Sequence, residues 1–377
     1  MYDLIIIGAG PAGISAAYEA KKAGLDYVVI EKGLIGNTIY HYPVGLTVFS
    51  TINELEFEDG DLKPAREKPT REELLSYYVR FVLDNELNIH TEESVENVSP
   101  SLAFSPFSSS PISSSSSSSV VPTVTTEEDE KEEKGRSKKP KRDRAFIVST
   151  NKATYESRNV LFAIGAMDYP RKLNVPGEDL PKVYDHFRET YPWVKKKALV
   201  VGGGNSAGEA ALFLAQEGAE ATLAIFRGDW ENNDPKQGCI KYWVKQPLEE
   251  ELNEHCLRLF FLGRVVEIRE TEIELENETG ERVTMENDVV FVLIGADADL
   301  KMLKSLGVET ETAKYGEVPV YDPATFETNI PGIYVAGHFT NQRHIKGAID
   351  AGKALIPALA EKLGKANKKS VPQGTPS

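Results

Sequence analysis

Two glycine-rich stretches are the parts of this sequence best suited to a defined chemistry. The first, IIIGAGPAG, occupies residues 5–13, and the second, VVGGGNSAG, occupies residues 200–208. In a loop of this kind the first glycine permits a tight turn, the second lets backbone N–H groups approach a pyrophosphate, and the third allows close helix-to-strand packing. The chain therefore contains two candidate dinucleotide-binding loops.

Each glycine loop lies between a predicted strand and a predicted helix. Residues 3–31 have the order strand, turn, helix and strand, and residues 198–226 repeat that order. A helix that begins at such a turn directs its positive end towards phosphate groups. We therefore predict an α/β protein with two Rossmann-like dinucleotide-binding domains. The loop positions are Gly8, Gly10 and Gly13 in the first unit and Gly202, Gly204 and Ala207 in the second, where alanine is a tolerated variant.

The second strands of the two units end differently, which predicts different ligands. Glu31 closes the first unit, where a carboxylate can accept both hydroxyl groups of an adenosine ribose. Arg227 follows the second unit, and a guanidinium suits a 2′-phosphate. We predict FAD at the first loop and NADPH at the second, with a hydride passing between them. The alternative is that Arg227 is a solvated residue and that either nicotinamide coenzyme binds.

The order of the segments predicts one domain inserted into another. We expect residues 1–176 and 297–377 to form a discontinuous FAD-binding domain, and residues 177–296 to form the inserted NAD(P)H-binding domain. Residues 99–144 contain seven consecutive serines followed by an acidic and a basic block. Such a segment has too little apolar surface to offset the entropy of ordering, so we predict a disordered insertion in a hairpin loop. The basic block KKPKR leaves a nuclear-localisation or nucleic-acid role open.

Composition narrows the classes of function. The 377 residues have a formal net charge of -15, which argues against nonspecific binding to nucleic acid or anionic membranes. The first predicted strand starts at Asp3, which leaves no room for a signal peptide, and no apolar run is long enough to span a bilayer. With only two cysteines, a cytoplasmic protein is expected. The spacing of the histidines predicts no metal site.

At the level of whole motifs the chain resembles the thioredoxin-reductase type of two-dinucleotide-binding flavoproteins. The matching pieces are GAGPAG with Glu31, NVLFAIGA, GGGNSA, VVFVLIGA and TNIPGIYVAG. Within that group it is most similar to the bacillithiol-disulfide-reductase-like flavoproteins, through EKGLIGNTIYHYP, TVFST, KPTREELLSYY, VPGEDLPKVY and IKYWV. The resemblance implies a homodimeric enzyme that binds FAD, is reduced by NADPH and reduces a low-molecular-weight disulfide.

The resemblance also implies positions for the cofactor-binding residues. On the FAD side these are Gly8, Gly10, Pro11, Ala12, Gly13, Glu31, Lys32, Asn37, Thr38, Ala163 and Gly165, with Gly337 and His338 near the ribityl chain and the backbone of Lys346 and Gly347 near the flavin pyrimidine edge. On the NADPH side they are Gly202, Gly204, Asn205, Ser206, Ala207 and Arg227.

The cysteines depart from the pattern of these relatives. A thioredoxin reductase has a CxxC pair just before its second nucleotide unit, but the window here, KVYDHFRETYPW, contains no cysteine. Bacillithiol-type enzymes tend to have a cysteine in the first glycine loop, where this chain has Ala12. Cys239 is therefore a candidate substitute as a catalytic thiol, with an ordinary half-buried thiol as the alternative. Cys256 is predicted to lie in the core.

Histidine replaces an expected aspartate in the closing motif. Thioredoxin reductases usually have GD there, whereas this chain has Gly337 followed by His338. His338 is a candidate catalytic residue because it can donate to the ribityl oxygens or titrate near neutral pH. The run Tyr40, His41 and Tyr42 is a candidate flavin-facing wall, although an aromatic cluster is more often packing.

Three functions remain open at this point. The first is an NADPH-dependent FAD oxidoreductase acting on a small disulfide. The second is a flavin reductase whose acceptor is a ferredoxin, a flavodoxin or a quinone. The third is a flavin-binding redox sensor or electron-transfer module that does not turn over coenzyme, suggested by Gly208, LIGADAD and the altered GH motif.

Overall fold

The computed structural model describes residues 1–101, 145–232, 234, 240–254, 256–314, 316–342 and 344–365. Most of the predicted insertion at residues 99–144 lies outside these ranges. Its predicted start is too early, because Ser99 and Pro100 still pair with the strand that resumes after the insertion. The strand ladder continues to this point since its partner begins at Phe146.

The first part of the chain alternates strands and helices. Its elements are β1 (Leu4–Ile7), α1 (Pro11–Lys22), β2 (Tyr27–Ile30), α2 (Asn37–Tyr40), α3 (Ile52–Leu55), α4 (Arg71–Asp84), β3 (Ile89–His90), β4 (Val95–Pro100), β5 (Phe146–Thr150), β6 (Thr154–Ser157), β7 (Val160–Phe162) and β8 (Tyr169–Pro170).

The second part repeats this alternation and then returns to short strands and a long helix. Its elements are β9 (Val183–Tyr184), β10 (Lys197–Val201), α5 (Asn205–Gln216), β11 (Glu220–Ile225), α6 (Arg227–Glu231), α7 (Tyr242–Asn253), β12 (Leu257–Ile268), β13 (Glu272–Asn277), β14 (Arg282–Glu286), β15 (Val289–Val292), β16 (Ala296–Asp297), α8 (Lys301–Ser305), β17 (Thr310–Ala313), β18 (Gly316–Pro319), β19 (Ile333–Val335) and α9 (Ile345–Lys362).

The first large sheet is parallel and has the strand order β19-β7-β1-β2-β3. Its strands β1 and β2 are apolar runs buried at every residue, as expected for a sheet covered by helices on its faces. Helices α1 and α9 pack against each other, and the Ser15 hydroxyl donates to the Ile349 carbonyl between them at 2.7 Å. The last helix of the chain therefore completes the core that the first helix begins.

The second large sheet has the order β14-β13-β12-β11-β10-β15-β9. The strands from β12 to β9 pair in parallel, while β13 and β14 add an antiparallel hairpin at one edge. Helices α5 and α7 pack together over an apolar cluster that includes Leu214, Val244 and Leu248. Two Rossmann-like units are thus present, and the predicted α/β fold class is confirmed.

Two crossings of the chain, which lie next to each other, connect the two large sheets. Strand β8 leads towards the second sheet and β16 leads back, and the two pair antiparallel. The Arg171 guanidinium forms an ion pair with Asp297 across this pairing at 2.7 Å. The described helices include none with both the length and the apolar character needed to cross a bilayer.

Smaller elements complete the first part of the chain. Strands β4, β5 and β6 form an antiparallel meander. Helix α4 begins with a capping box, in which Thr70 accepts from the Glu73 amide at 3.2 Å and Glu73 accepts from the Thr70 amide at 2.8 Å.

Candidate active site

The first glycine loop is built by close backbone contacts. A Cβ atom on Gly8, whose φ is +108°, would lie 2.5 Å from the Ala163 carbonyl oxygen. A Cβ atom on Gly13 would lie 1.9 Å from the Gly8 carbonyl oxygen. By contrast, nothing lies within 4 Å of a Cβ atom built on Gly10. The first and third glycines therefore permit packing, and the second leaves space at the N-terminus of α1 for a phosphate group.

The second glycine loop has the same geometry. A Cβ atom on Gly202 would lie 2.3 Å from the Leu293 carbonyl oxygen, and the space around Gly204 is open to 4 Å. Leu293 follows β15 just as Ala163 follows β7, so each loop packs on the next strand of its own sheet. Ala207 is accommodated because Gly202 has no side chain. A Cβ atom on Gly202 would lie only 2.9 Å from the Ala207 Cβ atom. Both loops are therefore built to receive a dinucleotide.

A cleft with a cavity volume of about 320 Å³ opens above the first loop. Most of the predicted FAD-side residues line it. These are Gly8, Gly10, Pro11, Ala12, Glu31, Lys32, Asn37, Thr38, Ala163, Gly165, Gly337 and His338. Three predicted residues are not among those lining it, namely Gly13, Lys346 and Gly347.

Glu31 lies at one end of the cleft with an almost fully buried side chain. Its carboxylate accepts hydrogen bonds from the Ala9 amide at 2.7 Å and the Gly33 amide at 2.8 Å. A carboxylate offers about four acceptor positions, so two such bonds leave capacity for the hydroxyl groups of a ribose. The next residue, Lys32, forms an ion pair with Asp168 at 2.6 Å.

The N-terminus of α9 forms the other end of the cleft, where His344 and Ile345 contribute to the lining. The Lys346 ammonium pairs with Asp350 at 2.6 Å. The Gln342 Oε1 atom is buried with no hydrogen-bond partner in the described part of the chain. A Cβ atom on Gly347 would lie 3.4 Å from the Gln342 Cβ atom, so Gln342 packs against the first turn of α9.

The predicted residues around the second loop already have protein partners. The Asn205 side-chain oxygen accepts from the Lys241 amide at 2.8 Å, which fixes the start of α7, while Ser206 is exposed. Arg227 donates to both carboxylate oxygens of Glu278, with Nε at 2.7 Å, and also contacts Glu231. The hydrogen bond to Glu278 raises the pKa of Arg227. A 2′-phosphate would therefore compete with carboxylates for this guanidinium.

Comparison with known proteins decides the family. Residues 5–105 and 136–337 match the pyridine nucleotide-disulphide oxidoreductase family. The chain belongs to this family. It is 32% identical to bacilliredoxin reductase Bdr of Bacillus subtilis over 333 residues, which is 88% of each chain. The resemblance noted from the sequence motifs is thereby confirmed.

Other relatives extend this comparison. The structure of bacillithiol disulfide reductase Bdr (YpdA) from Staphylococcus aureus superposes with a TM-score of 0.78 at 30% identity, covering 96% of this chain and 98% of that one. Thioredoxin reductase from T. acidophilum shares the fold, with a TM-score of 0.67 at 21% identity and coverage of 96% and 98%. A ferredoxin–NADP reductase of Ignicoccus hospitalis is 24% identical over 344 residues, which is 90% of each chain.

Membership of the pyridine nucleotide-disulphide oxidoreductases makes the chain an oxidoreductase, and FAD and NADPH are the cofactors of this group. The open space at Gly10 and Gly204 and the spare acceptor capacity of Glu31 fit two dinucleotides.

The cysteines of this oxidoreductase do not form a redox centre among the residues that the structure describes. Cys239, the predicted catalytic thiol, lies outside the described residues. Cys256, predicted to be in the core, is exposed, because it stands in the turn between α7 and β12 and its thiol points to the Glu254 carbonyl. Ala12 occupies the loop position where relatives tend to have cysteine, and it is buried in the cleft wall beside Gly337.

A half-buried acidic residue that the sequence did not single out lies near the cleft. Glu209 is in the first turns of α5, and burial raises its pKa to about 7. Tyr42 lines the cleft, and its pKa is raised by burial and further by the Glu209 carboxylate. A charged residue within the apolar stretch SAGEAALFLA was the available sequence signal. Gly208, before it, is explained by packing, since a Cβ atom there would lie 2.9 Å from Val244.

We expect Glu209→Gln to make the FAD-loaded enzyme more stable at high pH. The folded pKa of about 7 exceeds the ordinary value of 4.5, so the folded state binds more protons and its stability falls as pH rises through this window. The advantage of the variant should grow by roughly 1–2 kcal/mol between pH 5.5 and 8.5, as measured by urea denaturation. Glu217→Gln, at the exposed end of the same helix, is the control. A difference that does not change with pH would contradict this assignment.

The competition at Arg227 predicts an effect on coenzyme choice. Glu278→Gln removes a carboxylate that occupies the guanidinium, so the Kd for NADPH should fall about two- to fivefold while that for NADH stays constant. Arg227→Gln should act in the opposite direction. Glu276→Gln is the matched control, because Glu276 pairs with Arg264 instead. Equal effects on both coenzymes in a binding titration would exclude a contact between Arg227 and the 2′-phosphate.

Proposed function

We propose that this chain is an FAD-dependent NADPH oxidoreductase that reduces a small disulfide such as bacillithiol disulfide. The net reaction is NADPH + H⁺ + RSSR → NADP⁺ + 2 RSH. The observation that supports it best is the pair of equivalent glycine loops in a chain 32% identical to bacilliredoxin reductase Bdr. FAD, when bound, supplies a group that can take two electrons as hydride from NADPH and return them to a sulfur–sulfur bond.

We also propose that the two parts of the chain bind different cofactors. Residues 1–176 and 297–377 would hold FAD, and residues 177–296 would hold NADPH. The side-by-side pairing of β8 and β16 supports an insertion with two adjacent crossings. A homodimer and a cytoplasmic location remain predictions.

The residues of the cleft have distinct tasks in this proposal. The open space at Gly10 and the N-terminus of α1 would receive the pyrophosphate, and Glu31 would accept the ribose hydroxyl groups. The backbone of Lys346 and Gly347 remains the predicted contact to the pyrimidine edge of the flavin. His338 lines the same cleft and is the candidate contact to the ribityl chain.

The described residues that line the cleft include no cysteine, and this affects how electrons could pass from the flavin to the substrate. A disulfide relay needs a thiol that can attack the substrate sulfur and a partner to resolve it. We infer that the substrate disulfide instead enters the cleft itself, on the side of Tyr42. Tyr42 would then bound the substrate and exclude water from it.

The proposal is tested by anaerobic titration of the FAD-loaded protein with NADPH and, in parallel, with NADH. We expect NADPH to bleach the flavin absorbance within seconds and NADH to do so more slowly. Turnover is then measured with bacillithiol disulfide. A flavin that neither coenzyme bleaches would overturn the proposal and favour a redox sensor.

Removal of both thiols tests direct reduction of the substrate. We expect Cys239→Ser/Cys256→Ser to retain disulfide turnover within about twofold of the unmodified enzyme, because neither thiol would take part. A thiol relay predicts a loss of more than about a hundredfold in kcat with unchanged bleaching by NADPH. That pattern would assign the relay to Cys239, and the two single variants would verify the assignment.

A second candidate is a reductase whose acceptor is an electron-transfer protein. The similarity to a ferredoxin–NADP reductase over 90% of the chain supports it, as does the cleft wall without a described thiol. Bleaching by NADPH combined with turnover on ferredoxin, and none on any disulfide, would select this function.

A further inference from the structure

Two arginine side chains are held against the ring of Tyr40, at the edge of the cleft. The Arg188 guanidinium lies over the ring at 4.3 Å from its centroid, and that of Arg71 lies at 5.4 Å. The proximity of Arg188 lowers the pKa of Tyr40. Arg71 donates to the Tyr40 carbonyl at 2.5 Å. Both guanidinium groups are therefore fixed before any ligand arrives.

Only one of these two arginines has a carboxylate partner within the described part of the chain. Arg71 is 6% exposed and pairs with Glu72 at 2.7 Å, but its Nε atom is buried without a partner among the described residues. Half-buried Arg188 makes no ion pair within the part of the chain that the structure describes. Removing such charges from water is costly unless an anion compensates them. In a chain with a net charge of -15 the arrangement indicates an anionic ligand.

The imidazole of His41 lies beside the arginine pair. Its ring is 5.2 Å from that of Tyr40 and 6.4 Å from that of His186. Burial lowers the pKa of His41, and the charges of Arg188, His186 and Arg71 lower it further. The ring is thus held in its neutral form, which can still donate one hydrogen bond to an anion.

The arginine pair is continuous with the cleft. Tyr40 ends α2, whose residues Asn37 and Thr38 line the cleft, and Tyr42 lines it two residues later. Arg188 comes from the segment after β9 in the second sheet, and its carbonyl accepts from the Val44 amide at 2.9 Å. The pair therefore lies where the part of the chain with the first loop meets the part with the second.

We propose that Arg188 binds a carboxylate of the substrate, with the charge of Arg71 beside it, so that the enzyme selects low-molecular-weight disulfides that are anionic. This inference rests on the proposed disulfide reductase function. A planar guanidinium binds a carboxylate through two parallel hydrogen bonds, and stacking on Tyr40 fixes its orientation in advance. The arginines are positioning residues, which orient the sulfur–sulfur bond in the cleft without reacting themselves.

The first test is substrate selectivity in steady-state kinetics. We compare oxidised glutathione, which bears carboxylates, with neutral hydroxyethyl disulfide. Arg188→Gln should reduce the ratio of kcat/KM for the anionic to that for the neutral substrate by about tenfold to a hundredfold, through KM. Tyr40→Leu, which removes the ring on which Arg188 stacks, should give a smaller loss in the same direction. An unchanged ratio in both variants would overturn the proposal.

Arg80→Gln is the matched control, because Arg80 is exposed near the other end of α4 and loses the same charge. It should leave the ratio unchanged. FAD content and thermal unfolding of each variant establish that the fold is intact. An equal loss of selectivity in Arg80→Gln would assign the effect to overall charge and overturn the site.

The second test does not depend on turnover. Calorimetric titration of the FAD-loaded protein with succinate should detect binding to the unmodified protein and to Arg80→Gln, and none to Arg188→Gln. If no disulfide is reduced and this binding pattern is found, the anion site stands and the proposed function falls. If disulfides are reduced with unaltered selectivity and succinate does not bind, the function stands and the anion site falls.

Discussion

The structure depends on how closely each glycine loop approaches the next strand of its own sheet. A single Cβ atom at Gly8 or Gly202 would lie within 2.5 Å of a backbone carbonyl oxygen, at Ala163 or Leu293 respectively. Backbone atoms of a buried sheet cannot move aside as a flexible side chain can. The position of each loop, the direction of the helix that follows it and the open space at the helix N-terminus therefore follow from one steric condition, which both units satisfy.

Electrostatics, rather than loop geometry, distinguishes the two nucleotide sites. At the first loop the Glu31 carboxylate is fixed by backbone amides and keeps spare acceptor positions. At the second loop the Arg227 guanidinium is already engaged by Glu278. In the proposed assignment the first site is organised before FAD binds, whereas a 2′-phosphate at Arg227 would share or displace an exposed ion pair. Exposed ion pairs contribute little free energy. Replacing the Glu278 carboxylate by a doubly charged phosphate would therefore cost little.

Motifs that distinguish this chain from flavoproteins in general converge on the region between the two sheets. HYP contributes His41, KPTREELLSYY contributes Arg71, and TVFST contributes Phe49, which stacks on Trp243 of IKYWV at 5.1 Å. Although these segments are far apart in sequence, they meet in the fold, where the Arg71 amide donates to the Leu46 carbonyl at 2.7 Å and the Val48 amide donates to the Pro69 carbonyl at 2.8 Å. The glycine loops serve to bind the dinucleotides. The side chains that these segments bring together are instead suited to substrate selectivity.

Much of the architecture could be predicted from the sequence, because it depends on local patterns. Glycine spacing, buried apolar strands, the Thr70 capping box and Glu31 each follow from residues close together in the chain. The predictions that were wrong concern the limits of such patterns. Cys256 is exposed because α7 ends just before it, and Ser99 remains in a strand because its partner resumes at Phe146. Neither outcome is visible in the local sequence.

The sequence by itself determined that two dinucleotide units exist, since the hydrogen bonding and sterics of a glycine loop are set by neighbouring residues. Only the tertiary structure decided which charges meet. Arg227 faces Glu278, 51 residues away, and Arg188 reaches Tyr40 across the two sheets. Burial likewise raises the pKa of Glu209 to about 7 through side chains from other elements. The free energy of a charge depends on its surroundings in space, and these are set by packing rather than by position in the chain.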